Sequence, residues 1–90
     1  MNSGNLFGTV VDDQGSALPG VTVTLTGADA PPQIQVTDAE GRFRFMELPA
    51  GTYDLRAQLE GFSTVDYPNI AITAGRNTEI QVTLSPAIEE

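Results

Sequence analysis

Cysteine and histidine are both absent from this chain. Without cysteine there is no disulfide to staple the fold, no thiolate nucleophile and no thiolate metal ligand. Without histidine the commonest general base and the commonest zinc ligand are lost together. Lysine is missing too: the 4 basic residues are all arginine, set against 12 acidic ones for a net charge of −8. That balance repels phosphate backbones and anionic lipid surfaces, so nucleic acid and direct membrane insertion are set aside as partners. No apolar run approaches the roughly 20 residues that cross a bilayer as a helix. Met1-Asn2-Ser3-Gly4 carries neither a basic start nor an apolar segment, so no secretion signal is visible. If the protein is exported, the chain is expected to be a piece or mature form with Met1 added ahead of it.

What the chain does have, in 90 residues, is repeated strict alternation. This length suffices for one small domain. Val21, Val23 and Leu25 alternate with Thr22, Thr24 and Thr26, the pattern of a strand with one buried face and one threonine face. Phe43 and Phe45 alternate with Arg42 and Arg44. Tyr53, Leu55, Ala57 and Leu59 alternate with polar residues, as do Ile80, Val82 and Leu84. Shorter runs lie at Leu6–Val11, Ile34–Val36, Phe62–Tyr67 and Ile70–Thr73. Turn-forming clusters separate them: Asp13-Gln14-Gly15, Leu18-Pro19-Gly20, Ala30-Pro31-Pro32, Asp38-Ala39-Glu40-Gly41, Pro49-Ala50-Gly51, Tyr67-Pro68-Asn69 and Ala74-Gly75. No window has a helical period with caps at both ends. The pattern predicts an all-β, seven-stranded antiparallel Greek-key β-sandwich. Residues 1–4 read as added N-terminal residues or a linker, 5–84 as the sandwich, and 85–90 as a tail or linker to a following domain.

The stretch Thr37–Leu55 is the densest in pattern. Asp38 and Gly41 suit a tight turn, and Pro49 with Gly51 suits a chain reversal. Read as a hairpin, its two strands set Phe45 beside Tyr53, Phe43 beside Leu55, and Arg44 opposite Asp54 on the outer face. The first strand is apolar on both faces, so Phe7 and Val11 are candidates for a contact surface. Phe62 and Tyr67 are the other rings left over once Phe43, Phe45 and Tyr53 are assigned to the core. Asp12, Asp13, Asp38, Glu40 and Asp66 lie in or near turns where oxygens could gather around calcium, but no EF-hand spacing is present. Carboxylate pairs such as Asp38 with Glu40 are better explained by turn chemistry than by acid–base catalysis. The expectation is therefore no catalytic residue, no cofactor and no metal, with Phe7, Val11, Phe62 and Tyr67 as the interaction surface.

The order of these pieces resembles the carboxypeptidase regulatory-like domains. Gly8-Thr9-Val10-Val11-Asp12, Gly15 and Leu18-Pro19-Gly20-Val21-Thr22-Val23 match that family's opening. Thr37-Asp38-Ala39-Glu40-Gly41-Arg42-Phe43-Arg44-Phe45, Leu48-Pro49-Ala50-Gly51-Thr52-Tyr53, Gly61-Phe62 and Ala74-Gly75 match its central and later turns and strands. The resemblance implies a transthyretin-like (prealbumin-like) sandwich without catalytic residues of its own. It implies an accessory module of a larger exported bacterial protein, at the cell surface, in the periplasm or at the outer membrane. One such setting is the N-terminal extension of a TonB-dependent receptor. Its implied partners are other domains of the parent protein, with protein, peptide or glycan as further ligands. The alternative is a cell-surface binding module for carbohydrate or peptide. Urate-pathway hydrolases of similar fold use histidines, and adhesin domains of similar fold use a lysine in their isopeptide bond. This chain has neither residue.

Overall fold

The computed structural model describes residues 3–27 and 30–87. Its strands are β1 (Ser3–Asp12), β2 (Thr22–Gly27), β3 (Ala30–Val36), β4 (Arg42–Pro49), β5 (Gly51–Gln58), β6 (Val65–Ile72) and β7 (Asn77–Leu84). They form two sheets, one ordered β4-β1-β7 and the other β3-β2-β5-β6. Period-two alternation puts Leu6 and Val10 of β1, Val23 and Leu25 of β2, Phe43 and Phe45 of β4, Tyr53 and Leu55 of β5, and Val82 and Leu84 of β7 into one shared core. The strands pair antiparallel except in one place: β1 and β7 run parallel, from Asn5 opposite Asn77 to Asp12 opposite Leu84.

The expected hairpin of β4 with β5 does not form. β4 pairs with β1, setting Phe45 opposite Leu6 and Phe43 opposite Gly8, whereas β5 pairs with β2 and β6. The Pro49–Gly51 reversal therefore carries the chain from one sheet to the other. Tyr53 closes that corner, its hydroxyl donating to the Pro49 carbonyl at 2.6 Å. Arg44 and Asp54 lie in different sheets, and the ion pair on β5 is instead Arg56 with Asp66 at 2.7 Å. Alternation assigns a face to each residue but not a neighbour to each strand, so the inward parity holds and the strand partner differs.

Two turn clusters read from the sequence lie inside strands. Pro31 and Pro32 belong to β3, and Pro68 to β6. Both strands are sheet edges, where a residue without an N–H can be accommodated. At Pro68-Asn69 the pairing with β5 slips by one residue. Asn69 takes a positive φ of 61°, and its N–H donates to the Asp54 carboxylate at 3.0 Å. This merges the two short runs on either side into one strand. A similar bulge in β4 gives Glu47 a φ of 57°, with its N–H held by the Asn5 side chain at 2.9 Å.

Backbone hydrogen bonds also involve residues on either side of 5–84. Ser3 and Gly4 open β1, and Gly75 donates its N–H to the Ser3 carbonyl. At the other end Ser63 donates to the Ser85 carbonyl and Ala87 to the Gly61 carbonyl. Within β1, Gly8 is set by a packing demand. A Cβ there would stand 2.5 Å from Cε2 and 2.8 Å from Cε1 of Phe43, inside the ring's contact distance. The Phe43 ring in turn meets Phe45 edge-on, with centroids 5.9 Å apart.

Candidate interaction surface

The acidic turns bind their own backbone. One Asp12 carboxylate oxygen accepts from the N–H groups of Gln14 and Ser16, both at 2.9 Å. The Asp38 carboxylate likewise accepts from Arg42 and Glu40 at 2.9 Å each, which holds it below the usual carboxylate range. Asp54 serves the β6 bulge and Asp66 pairs with Arg56. Among the described residues no group of three or more potential metal ligands converges.

The interaction residues read from the sequence are spread over the molecule. Phe7 is half-buried on β1, opposite Arg44 on one side and Glu79 on the other. Val11 is buried, because the chain folds back after the Asp12 turn and bridges it at Ala17. It contributes nothing to an accessible face. Phe62 is half-buried, packs against the core and bridges to Pro86. Tyr67 is exposed on the edge strand β6, opposite Leu55. Phe7 and Tyr67 belong to different sheets, so the four do not form a patch.

The exposed apolar surface lies instead on β3. Ile34 is 62% and Val36 58% exposed, more than any other large apolar side chain described. Their register partners on β2 are Thr24 and Thr22, so both stand over the outer, threonine face of the sheet. The core-side positions of β3 go to Gln33 and Gln35, opposite Leu25 and Val23. The amphipathic order of this strand is thus reversed. β3 is an edge of its sheet, and its core-side positions are only partly covered, Gln33 being half-buried and Gln35 exposed. An open groove of about 980 Å³ lies at this corner, with Gln35, Val36, Asp38, Arg42, Phe43 and Ile80 in its lining.

The backbone of β3 is open along its outer edge. Thr37 donates its N–H to Val21 across the pair at 3.0 Å. Antiparallel alternation then turns the peptide groups of Gln35 and Gln33 toward β2 and those of Ile34 and Val36 away from it. The two residues with exposed apolar side chains are therefore the ones that present both an N–H and a C=O along this edge. The sequence signal, Gln-Ile-Gln-Val, specifies a strand but not which of its faces meets the core.

Comparison with known proteins places the domain. The family profile described as the carboxypeptidase regulatory-like domain matches residues 5–85. The chain belongs to this family. A curated relative, the TonB-dependent transporter Oar of Myxococcus xanthus, is 35% identical over 93% of this carboxypeptidase regulatory-like domain. The domain spans only 8% of that transporter's length. Among solved structures, the TIE protein of Bacillus anthracis superposes with a TM-score of 0.79 at 16% identity, covering 96% of this chain and 17% of that one. The 5-hydroxyisourate hydrolase of Klebsiella pneumoniae superposes with a TM-score of 0.67 at 24% identity, covering 91% and 84%. At these identities the two structures share the β-sandwich fold with this domain and nothing further is carried over.

Proposed function

We propose that this domain is a non-catalytic accessory module of a larger exported bacterial protein, an N-terminal extension of an outer-membrane TonB-dependent receptor. The observation that carries the reading is the similarity to Oar, in which nearly all of this chain corresponds to a small fraction of a transporter. Side-chain chemistry supports the non-catalytic part. Histidine and cysteine are absent, and the turn carboxylates of Asp12 and Asp38 are occupied by backbone N–H groups. A fold shared with a hydrolase does not transfer that chemistry, because function lies in sites and not in the sandwich.

The test is removal of residues 3–87 from the gene that encodes them, followed by membrane fractionation and an uptake assay. An accessory module predicts that the remaining protein still reaches the outer membrane, with reduced uptake. Failure to insert, or unchanged uptake, refutes the reading. Peptide binding is a second reading, favoured over glycan binding by the aromatic side chains. Saccharide stacking needs exposed rings, and of Phe7, Phe62 and Tyr67 only Tyr67 is exposed.

A further inference from the structure

We infer that the open edge of β3 is a self-association surface, on which a second copy of this chain adds its own β3 antiparallel across a two-fold axis. The inference rests on the fold alone and not on the receptor reading. It begins with the hydrogen-bonding groups that the edge leaves free. Ile34 and Val36 each turn an N–H and a C=O away from β2, as the Thr37–Val21 bond and the register require. Pro32, the next residue with that orientation, has no N–H to give. Beyond Val36, Asp38 has already committed its N–H to the Arg42 carbonyl at 3.0 Å. The edge is therefore a short ladder bounded at both ends.

A second copy completes that ladder, leaving over the outward Pro32 carbonyl at each end. With Gln35 opposite Gln35 of the second copy, Ile34 faces the second copy's Val36, and Val36 faces its Ile34. Each free N–H then meets a free C=O, and no proline is asked to donate. The same register places Ile34 and Val36 of one copy directly beside Val36 and Ile34 of the other, on one face. Cross-strand pairs of β-branched residues stabilise such a contact. On the opposite face the two Gln35 amides meet, each able to donate and accept.

Charge points to the same edge. Two copies at −8 each repel one another over most of their surface. β2 and β3, however, read TVTLTG and APPQIQV, with no charged side chain in either. Natural edge strands commonly block pairing with lysine or an inward-pointing charge. β3 has only its two prolines, at the end where the ladder stops.

The ladder is short, so association is weak, and net repulsion makes it depend on salt. Sedimentation velocity on the 90-residue chain, from micromolar to millimolar, is expected to show the 9.5 kDa species giving way to one of twice that mass. Raising sodium chloride from about 0.05 M to about 1 M, which shortens the screening length to about 3 Å, should tighten the dimer by about tenfold. Amide exchange followed by NMR should show the Ile34 and Val36 N–H protons gaining protection in the dimer. Both side chains are exposed, so Ile34→Lys and Val36→Lys should keep the melting temperature and lose the dimer. A chain that stays monomeric at every concentration and salt level overturns the proposal. So does a dimer that survives Val36→Lys, or one whose Ile34 and Val36 amides stay unprotected. A basic peptide that binds β3 while the chain itself remains monomeric overturns it too. None of these outcomes bears on the receptor reading, which the gene deletion tests separately.

Discussion

Replacing Gly8 by alanine isolates a single packing contact. In an ordinary strand this change is favourable by about 0.5–1 kcal/mol, because glycine has more backbone freedom to lose on folding. Gly8 is not among the positive-φ glycines, so its backbone accepts alanine without strain. The obstacle is the Phe43 ring. The new methyl would stand 2.5 Å from Cε2 and 2.8 Å from Cε1, where carbon atoms rest at about 3.5–4.0 Å. Phe43 is 5% exposed and sits edge-on to Phe45, so the ring has little room to retreat. Overpacking of this kind costs about 1–3 kcal/mol. With several ring atoms this close, the cost falls in the upper part of that range, about 2–3 kcal/mol. Net of the backbone gain, Gly8→Ala is expected to destabilise by about 1–2.5 kcal/mol, or about 4–20 °C in melting temperature for a domain this small. Urea denaturation of Gly8→Ala, Phe43→Leu and the double variant gives the decisive measurement. Leucine leaves room for the methyl, so Phe43→Leu should cost less in the alanine background, with a coupling of about 1–2 kcal/mol. Additive effects, or an alanine variant as stable as the parent, would show that the ring does not rest on Gly8.

The other predictions concern buried polar groups, core packing and pH. Thr37 is 4% exposed, its hydroxyl donating to the Leu18 carbonyl at 2.7 Å and accepting from the Val21 N–H at 2.9 Å. Thr37→Val strands both partners and should cost about 1–3 kcal/mol in urea denaturation, whereas Thr22→Val should be nearly neutral. Phe45→Ala should cost about 3–5 kcal/mol and Arg44→Ala less than about 0.5 kcal/mol; equal shifts in midpoint would contradict the buried and exposed assignments. The Asp38 carboxyl is held below its ordinary value of 3.8, first by the Arg42 N–H and then by that of Glu40. Its contribution to stability is fully present above that value and disappears as pH falls through the depressed one. The stability gap between the parent and Asp38→Asn should therefore close in acid; a gap that persists below both values would mean that the carboxylate charge is not what holds the turn.

Much of this fold is legible in particular residues. Val21 through Thr26, Arg42 through Phe45 and Glu79 through Leu84 alternate cleanly, and each takes the face its alternation implies. Strand order is less accessible. Nothing local to Phe45 or Tyr53 specifies whether β4 meets β5 or β1, because pairing is decided by which sheet has an unfilled edge. The prolines at 31, 32 and 68 read as turns since their missing N–H forbids central pairing, and edge strands escape that rule. The candidate surface is the hardest part. Val11 looks surplus to the core until the Ala17 segment folds over it. Ile34 and Val36 carry the apolar side chains of the short run between Pro32 and Asp38, yet they stand on the outer face beside Thr24 and Thr22. Both placements depend on long-range packing that a period-two pattern does not encode.

The parallel pairing of β1 with β7 has a mechanical consequence. Because the strands lie side by side in the same direction, Ser3 and Leu84 are at opposite ends of one ladder. Tension applied at those two points pulls the strands past each other along their length. Every hydrogen bond between them then bears load at once, instead of parting one after another as in a hairpin pulled open from its end. A module connected in this way resists traction along its axis through the shear of this ladder, whatever its stability to heat or denaturant. Resistance to force and resistance to unfolding agents thus become separate properties of the same sandwich.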